Sequence, residues 1–448
     1  MRRVGPGYRN RNGFRTPGAA AVILPRMPEP VSRPGKVRNA WLIVIGQAIS
    51  LLGDYVAFLA VPLFVLHLTG AGTDLGLVMA LETLPTLLFG FAAGVALDRI
   101  SIRRALIVAD LARAAAFTLL AISVVAGVPR VWMVFAVAFL VGSMAVFYES
   151  GLQAWLPALL PDHALVVVNS RIQFARTVTW TLGPPLAAFL IASAGGFAVA
   201  FWVNSATFLV SAALIVVLVE VRPRPQVERE RWWPSFREGF AYLWSQSMLR
   251  TATLAATLWN FTFIPMEALL VKFAADLLDI PGSLVGWFFG GHALVGAAGV
   301  MVAPRVTRWL GLGRTFVLGM AMLGAGFLSL TIGAPLIAAL SPWASVGVAV
   351  LPAGIAVAGV SVANVAFFTL RQTLPPQHLL GRVIAASRTI SWAGIPVGAA
   401  AGGMLGDAVG VGPVYAGASL LLLIMAALLM LTPLWRLRRV GEPEAPSA

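Results

Sequence analysis

The sequence predicts an all-α membrane protein in which twelve transmembrane helices form two like six-helix bundles. Three observations carry that expectation. The 448 residues are 59% hydrophobic and only 11% charged, with mean hydropathy +0.87, a balance that no water-exposed domain sustains. Apolar runs long enough for the ~20 residues that a crossing requires lie near 41–67, 76–97, 105–126, 131–151, 166–192 and 197–219, and again near 251–273, 283–304, 315–338, 345–369, 383–406 and 413–435. Finally, the phrase ARTVTWTLGPP at 175–185 returns as SRTISWAGIPV at 387–397, with Arg176 and Arg388, Thr177 and Thr389, and Trp180 and Trp392 in step. The two copies occupy the fifth and eleventh runs. Duplicated six-span halves leave that pattern, and both halves keep one orientation because six is even.

Taken in order, residues 1–38 hold nine Lys/Arg against one acid, with Pro and Gly throughout. They read as a disordered basic cytoplasmic tail, and Met27 offers a second start that would leave the first 26 residues untranslated. Residues 39–220 form the first bundle, 221–250 a linker, 251–439 the second bundle and 440–448 a second cytoplasmic tail. Strands of a transmembrane barrel would alternate over ~10 residues; these runs stay apolar for twice that.

The net charge of +14 is no nucleic-acid signature, because the basic residues form no stripe interleaved with aromatics. They fall instead in the even-numbered connections: Arg99, Arg103 and Arg104; Arg171 and Arg176; several between 222 and 250; Arg305, Arg308 and Arg314; Arg371 and Arg382. Odd-numbered connections hold Arg130 and, near a helix end, Lys272. Lys and Arg of short loops stay in the cytoplasm, which places both termini there. In the linker, Phe236, Phe240, Leu243 and Trp244 recur at helical spacing. They predict an amphipathic helix at the inner membrane surface; an ordinary charged linker would mark the same boundary.

With no cysteine and four scattered histidines, the chain has no thiolate and no paired metal-ligand spacing. No metal and no cofactor is expected, and no enzyme chemistry. The sharpest functional candidates are carboxylates within spans, since an ionised acid at mid-bilayer costs ~3 kcal/mol. Asp54, Glu82 and Glu267 qualify. Gln47, Ser50 and Asp54 share one face of span one, a polar stripe suited to a cavity, so Asp54 is the principal candidate for carrying a proton between the two sides. Asp110 and Arg113, three residues apart, read as a structural ion pair, and Glu149 resembles them. Gln47, Tyr55, Phe58, Trp259, Asn260, Phe263 and Trp287 supply the aromatics and amides that would line a site for bulky, largely apolar molecules.

Between spans two and three stands GVALDRISIRR. Its Gly94, Asp98, Arg99, Arg103 and Arg104 resemble the signature loop of the major facilitator superfamily, with Ser101 and Ile102 departing from that pattern. The resemblance extends from about Asn39 to Arg439. Thr86, Gly90, Gly94 and Asp98 also recur every four residues, giving span two a small face for close helix approach. The resemblance implies that Asp98 latches the inner side against span eleven, near Gly381 and Arg382. Thr179, Gly183 and Pro184, with Ser170, Ala187 and Ala188, resemble an eroded version of the glycine motif of that superfamily's antiporters. Gly394, Gly398, Gly402 and Gly406 make a four-residue packing ladder in span eleven.

The expected function is proton-coupled export of amphipathic or hydrophobic small molecules, such as drugs or macrolides, by alternating access in a bacterial cytoplasmic membrane. No GxxxxGK[ST] phosphate loop is present to take ATP. Partners would be the substrate, protons and the lipid bilayer, with the protein a monomer and no nucleic acid involved. A siderophore or metabolite exporter, a nutrient facilitator or importer, and a non-transporting or lipid-handling protein are the alternatives.

Overall fold

A computed structural model describes residues 34–97, 100–160, 162–193, 196–217 and 232–437. Among these, every regular element is helical: α1 (Pro34–Thr69), α2 (Gly72–Leu97), α3 (Ile102–Val125), α4 (Val131–Leu159), α5 (Asp162–Ala192), α6 (Gly196–Val217), α7 (Trp232–Ser245), α8 (Ser247–Asp276), α9 (Gly282–Leu310), α10 (Leu312–Ala338), α11 (Pro342–Thr373), α12 (Leu380–Val409), α13 (Val411–Met430) and α14 (Pro433–Arg436). Helix α1 starts at Pro34, inside the stretch read as a tail, because the apolar run propagates the helix back into polar residues. Residues 1–33 and 438–448 lie outside the described residues.

Among the described residues, ten helices are long and apolar enough to cross a membrane. The two other long ones, α5 and α12, match them in length but carry the duplicated phrase with its arginines. Together they make the twelve spans of the sequence reading, with α14 a short turn after the last. Prolines inside α1, α2, α4, α5, α8, α9, α10, α11 and α12 are carried without a break, as neighbouring helices support the backbone they free.

The packing pairs repeat between halves. In the first half α1 packs on α5 and α6, α3 on α4 and α6, and α2 on α4. In the second half α8 packs on α12 and α13, α10 on α11 and α13, and α9 on α11. Each pair has its counterpart six spans later. The main contacts between halves are α2 with α12 and α5 with α9, and these two interfaces exchange when the halves are swapped. That is the arrangement of two copies related by an axis along the membrane normal.

Close approach depends on glycine at a few crossings, because association in lipid relies on van der Waals contact between backbones. At Gly53 of α1, a β-carbon would fall 2.0 Å from Thr207 Oγ1 and 2.4 Å from Asn204 Oδ1 of α6. We therefore expect Gly53→Ala to push α1 off α6 and lower the melting temperature in detergent by several degrees, corresponding to ~1–3 kcal/mol of overpacking; an unchanged melting temperature would contradict this seating.

The linker helix α7 lies against the start of α12. Gly239 meets the Arg382 backbone, Glu238 forms an ion pair with Arg382, and Leu243 is buried with Leu249, Leu379 and Val383. Phe236, Phe240 and Trp244 stack successively along α7, and the last two stay exposed. One face of the predicted amphipathic helix is thus spent on α12.

Candidate functional site

A cavity of about 640 Å³ lies between the halves, within the size range of small-molecule sites. It is lined by α1, α2, α3 and α4 on one side and by α8, α9 and α12 on the other, and it reaches Glu149, Gln153, Arg176, Gly381 and Arg388 at the end carrying the basic loops. Toward the opposite end α2 meets α12 through Gly76 and Gly403, where a β-carbon on either would come within 2.5 Å of the facing backbone. On the other flank Gly286 of α9 presses on the Pro184 carbonyl of α5. At the basic end the Glu149 and Arg176 side chains stay 54% and 42% exposed, which leaves that end open, whereas these backbone contacts close the other.

Helix α1 supplies the central wall. Gln47, Ser50, Asp54, Tyr55 and Phe58 all line the cavity, as their spacing predicts, because Gly53 turns the opposite face into α6. Gly183 presses against Tyr55 from α5, where an added β-carbon would fall 2.5 Å from the Tyr55 Cβ. Tyr55 and Phe58 meet Trp180 at 5.1 and 5.2 Å between ring centroids, and Phe58 meets Phe289 of the other half at 6.2 Å. This aromatic run bridges the two halves beside Asp54.

All three predicted carboxylates reach the cavity: Asp54 from α1, Glu82 from α2 and Glu267 from α8. The Glu82 backbone is fixed by α4, since a β-carbon at Gly142 would lie 2.1 Å from the Glu82 carbonyl oxygen. Glu267 is positioned by the α12 ladder, in which Gly394, Gly398 and Gly402 seat the backbone of α8 at Thr257, Phe261 and Pro265. Glu267 Oε1 is buried with no hydrogen-bond partner among the described residues. A carboxylate oxygen in that position calls for a donor, and the cavity beside it is where a proton or a ligand would supply one.

The ladder also explains where the α8 candidates go. Trp259 is 4% exposed in the core, Asn260 donates to the Ser391 carbonyl at 2.9 Å, and Phe263 packs on the main core. Trp287 is 53% exposed on the outer surface of α9, near Trp343. These four do not line the cavity: α8 presents Glu267, Ala268 and Val271 to it instead. Of the antiporter-like residues, Gly183 and Pro184 sit at helix crossings, and the Thr179 hydroxyl donates to the Ala175 and Arg176 carbonyls of its own helix. In the signature loop, Gly94 lies in α2, Arg103 donates to the Val216 carbonyl, and Arg104 is exposed. Asp98 and Arg99 lie outside the described residues.

Several cavity residues escaped the sequence reading. Arg113 pairs with Asp110 as expected, both almost fully buried, yet it also lines the cavity. Its guanidinium sits 4.6 Å from the Tyr148 ring centroid and 4.3 Å from that of Phe208, which is favourable for a desolvated cation. Removing one member of a buried pair strands the other, at a cost of ~3–5 kcal/mol. We expect Arg113→Met to accumulate poorly and Arg113→Met with Asp110→Asn to recover much of the yield, as read by size-exclusion profiles; equal yields of the two variants would remove the pair from the account. At the open mouth Glu149 and Arg176 pair at 3.9 Å, and Arg388 stacks on Trp392 at 4.3 Å. The duplicated arginines therefore face the mouth from both halves.

The relatives of this chain agree with the fold. The sequence model of the Major Facilitator Superfamily matches residues 43–399. The chain is 27% identical to the multidrug efflux pump Tap of Mycolicibacterium fortuitum, over 91% of this chain and 99% of the relative. It is 28% identical to macrolide efflux protein A of Streptococcus pyogenes, over 53% of this chain and 59% of that one. Among solved structures, a bacterial homologue of the human lysosomal transporter Spinster, in an inward-facing conformation, superposes with a TM-score of 0.69 at 12% identity, covering 89% of this chain and 96% of its own. A bacterial homologue of the iron transporter ferroportin, in its inward-facing state, gives 0.66 at 18% identity, covering 88% and 98%. Twelve spans in two matching halves around one shared cavity, and a family model spanning most of those residues, lead to one conclusion: the chain belongs to the major facilitator superfamily.

Proposed function

We propose that the protein exports amphipathic, largely apolar small molecules such as drugs or macrolides across a bacterial cytoplasmic membrane in exchange for protons. The observation that carries this reading is the cavity shared by both halves, in which an aromatic wall stands beside the carboxylates Asp54, Glu82 and Glu267. Aromatic surface holds bulky apolar molecules without demanding one shape. Carboxylates inside a span bind cationic groups or protons, and one site cannot satisfy both at once. The names of the relatives, a multidrug efflux pump and a macrolide efflux protein, support the direction and class of cargo.

The basic end is the cytoplasmic end in this reading, following the bias of Lys and Arg, so the described conformation faces inward. Substrate enters from the cytoplasm or inner leaflet past Arg176 and Arg388. The halves then rock about the cavity, close the basic end with Asp98 against the start of α12, and open the other end. Protons entering from outside neutralise the carboxylates and release the cargo.

The test is transport in proteoliposomes with a panel of amphipathic compounds, with and without an inward-directed proton gradient. Gradient-dependent accumulation on the proton-rich side is expected. Equal rates with and without the gradient would overturn the exchange, and absence of transport for every amphipathic compound would overturn the cargo class.

A further inference from the structure

At the closed end the two halves are joined by more than packing. The carboxylate of Asp407, in the last turn of α12, accepts hydrogen bonds from the backbone N–H groups of Gly72 at 2.6 Å and Thr73 at 2.7 Å. Those N–H groups open α2, and the first N–H groups of a helix have no partner within it. One oxygen serves each donor, and the negative charge lies on the positive end of the α2 dipole. A second tie runs beside it: the Lys272 ammonium, at the end of α8, donates to the Gly70 carbonyl at 2.9 Å and pairs with Asp276 at 3.0 Å. Between these ties and the cavity lies the contact of Gly76 with Gly403. The bonds to Gly72, Thr73 and Gly70 and the Gly76–Gly403 contact all cross from the first half to the second.

We propose that Asp407 is the outer latch of the transport cycle, capping the N-terminus of α2 in the inward-facing state and letting go of it when the outside opens. Helices α2 and α12 run antiparallel, so the same pair has a second N-terminus, that of α12, at the basic end. By sequence Asp98 directly follows α2 at that end. In sequence, a carboxylate thus stands in or just past the last turn of each helix of the pair. Asp407 is exposed, which suits a contact that must break in every cycle: water receives both partners when it opens, and the tie adds only modestly to the closed state.

The inference rests on the alternating-access reading above, and one experiment separates the two. The chain has no cysteine, and Val78 is 4% exposed on the cavity wall, so Val78→Cys places a single thiol there. Its labelling by a membrane-impermeant maleimide added outside right-side-out vesicles reports opening of the outer side. Asp407→Ala is expected to speed that labelling roughly 3- to 10-fold, the range for one helix-end charge with its hydrogen bonds. Thr73→Pro is expected to act in the same direction with the carboxylate intact, because proline is accepted in a first helical turn but offers no N–H. The two together should not exceed Asp407→Ala by much, since that substitution already removes the bond that Thr73 makes. Labelling that responds to substrate but to neither substitution would overturn the latch alone. Labelling that responds to nothing would overturn alternating access and the latch with it.

Discussion

Replacing Asp54 by asparagine is expected to abolish proton-driven efflux while leaving expression and folding intact. The side chain keeps its size and most of its hydrogen-bonding capacity but can no longer change charge. Asp54 is the carboxylate at the centre of the aromatic wall, held toward the cavity by the seating of Gly53 on α6 and of Gly183 on Tyr55. A charge at mid-bilayer differs from its neutral form by ~2.5–3.5 kcal/mol, which corresponds to roughly 100-fold in any equilibrium that the charge controls. The gradient-driven component of efflux should fall by about that factor. Downhill movement of a bound substrate should persist, because the aromatic contacts remain. Efflux of Asp54→Asn at the wild-type rate under a gradient would remove Asp54 as the proton carrier and leave Glu82 and Glu267.

The second large effect is expected at Gly403. Its position against Gly72 and Gly76 allows α12 and α2 to touch backbone to backbone at the closed end; a β-carbon there would stand 2.5 Å from the Gly72 carbonyl oxygen and 3.0 Å from the Gly76 Cα. Neither neighbour is a flexible side chain that can move aside. Valine at this position cannot be accommodated with the outer side closed, but it is harmless once the halves have rocked apart there. Gly403→Val should therefore depopulate the inward-facing state rather than unfold the protein. Turnover is expected to fall at least about 10-fold, in keeping with overpacking of ~1–3 kcal/mol, while the Val78→Cys reporter labels faster from outside. Loss of turnover with slower outside labelling would mean that the substitution damages the fold and does not bias the cycle.

Much of this molecule is written in local patterns. Length, apolar periodicity and the duplicated phrase are enough for twelve spans in two like halves, and they are borne out by the paired contacts of α1 with α5 and of α8 with α12. The stripe of Gln47, Ser50 and Asp54 pointed to the cavity because one buried face of α1 suffices to orient it. Rotation about a helix axis is harder to read. Trp259, Asn260 and Phe263 lie within eight residues of Glu267 on the same helix, yet the α12 glycine ladder turns them away while Glu267 reaches the cavity. Arg113 was legible as the partner of Asp110, three residues before it, and not as a cavity residue, because its exposure depends on rings supplied by α4 and α6. Asp407 gave no sequence signal at all, since the N–H groups it caps lie 335 and 334 residues away.

If substrate and proton exchange at one cavity, binding of the one must displace the other. Purified protein in weakly buffered detergent, mixed with an amphipathic cationic substrate and a pH indicator, tests it without requiring vesicles or a gradient. Wild-type protein is expected to release protons as substrate binds, and Asp54→Asn to bind with little or no release. Saturating binding by the wild type with no proton released would contradict the account.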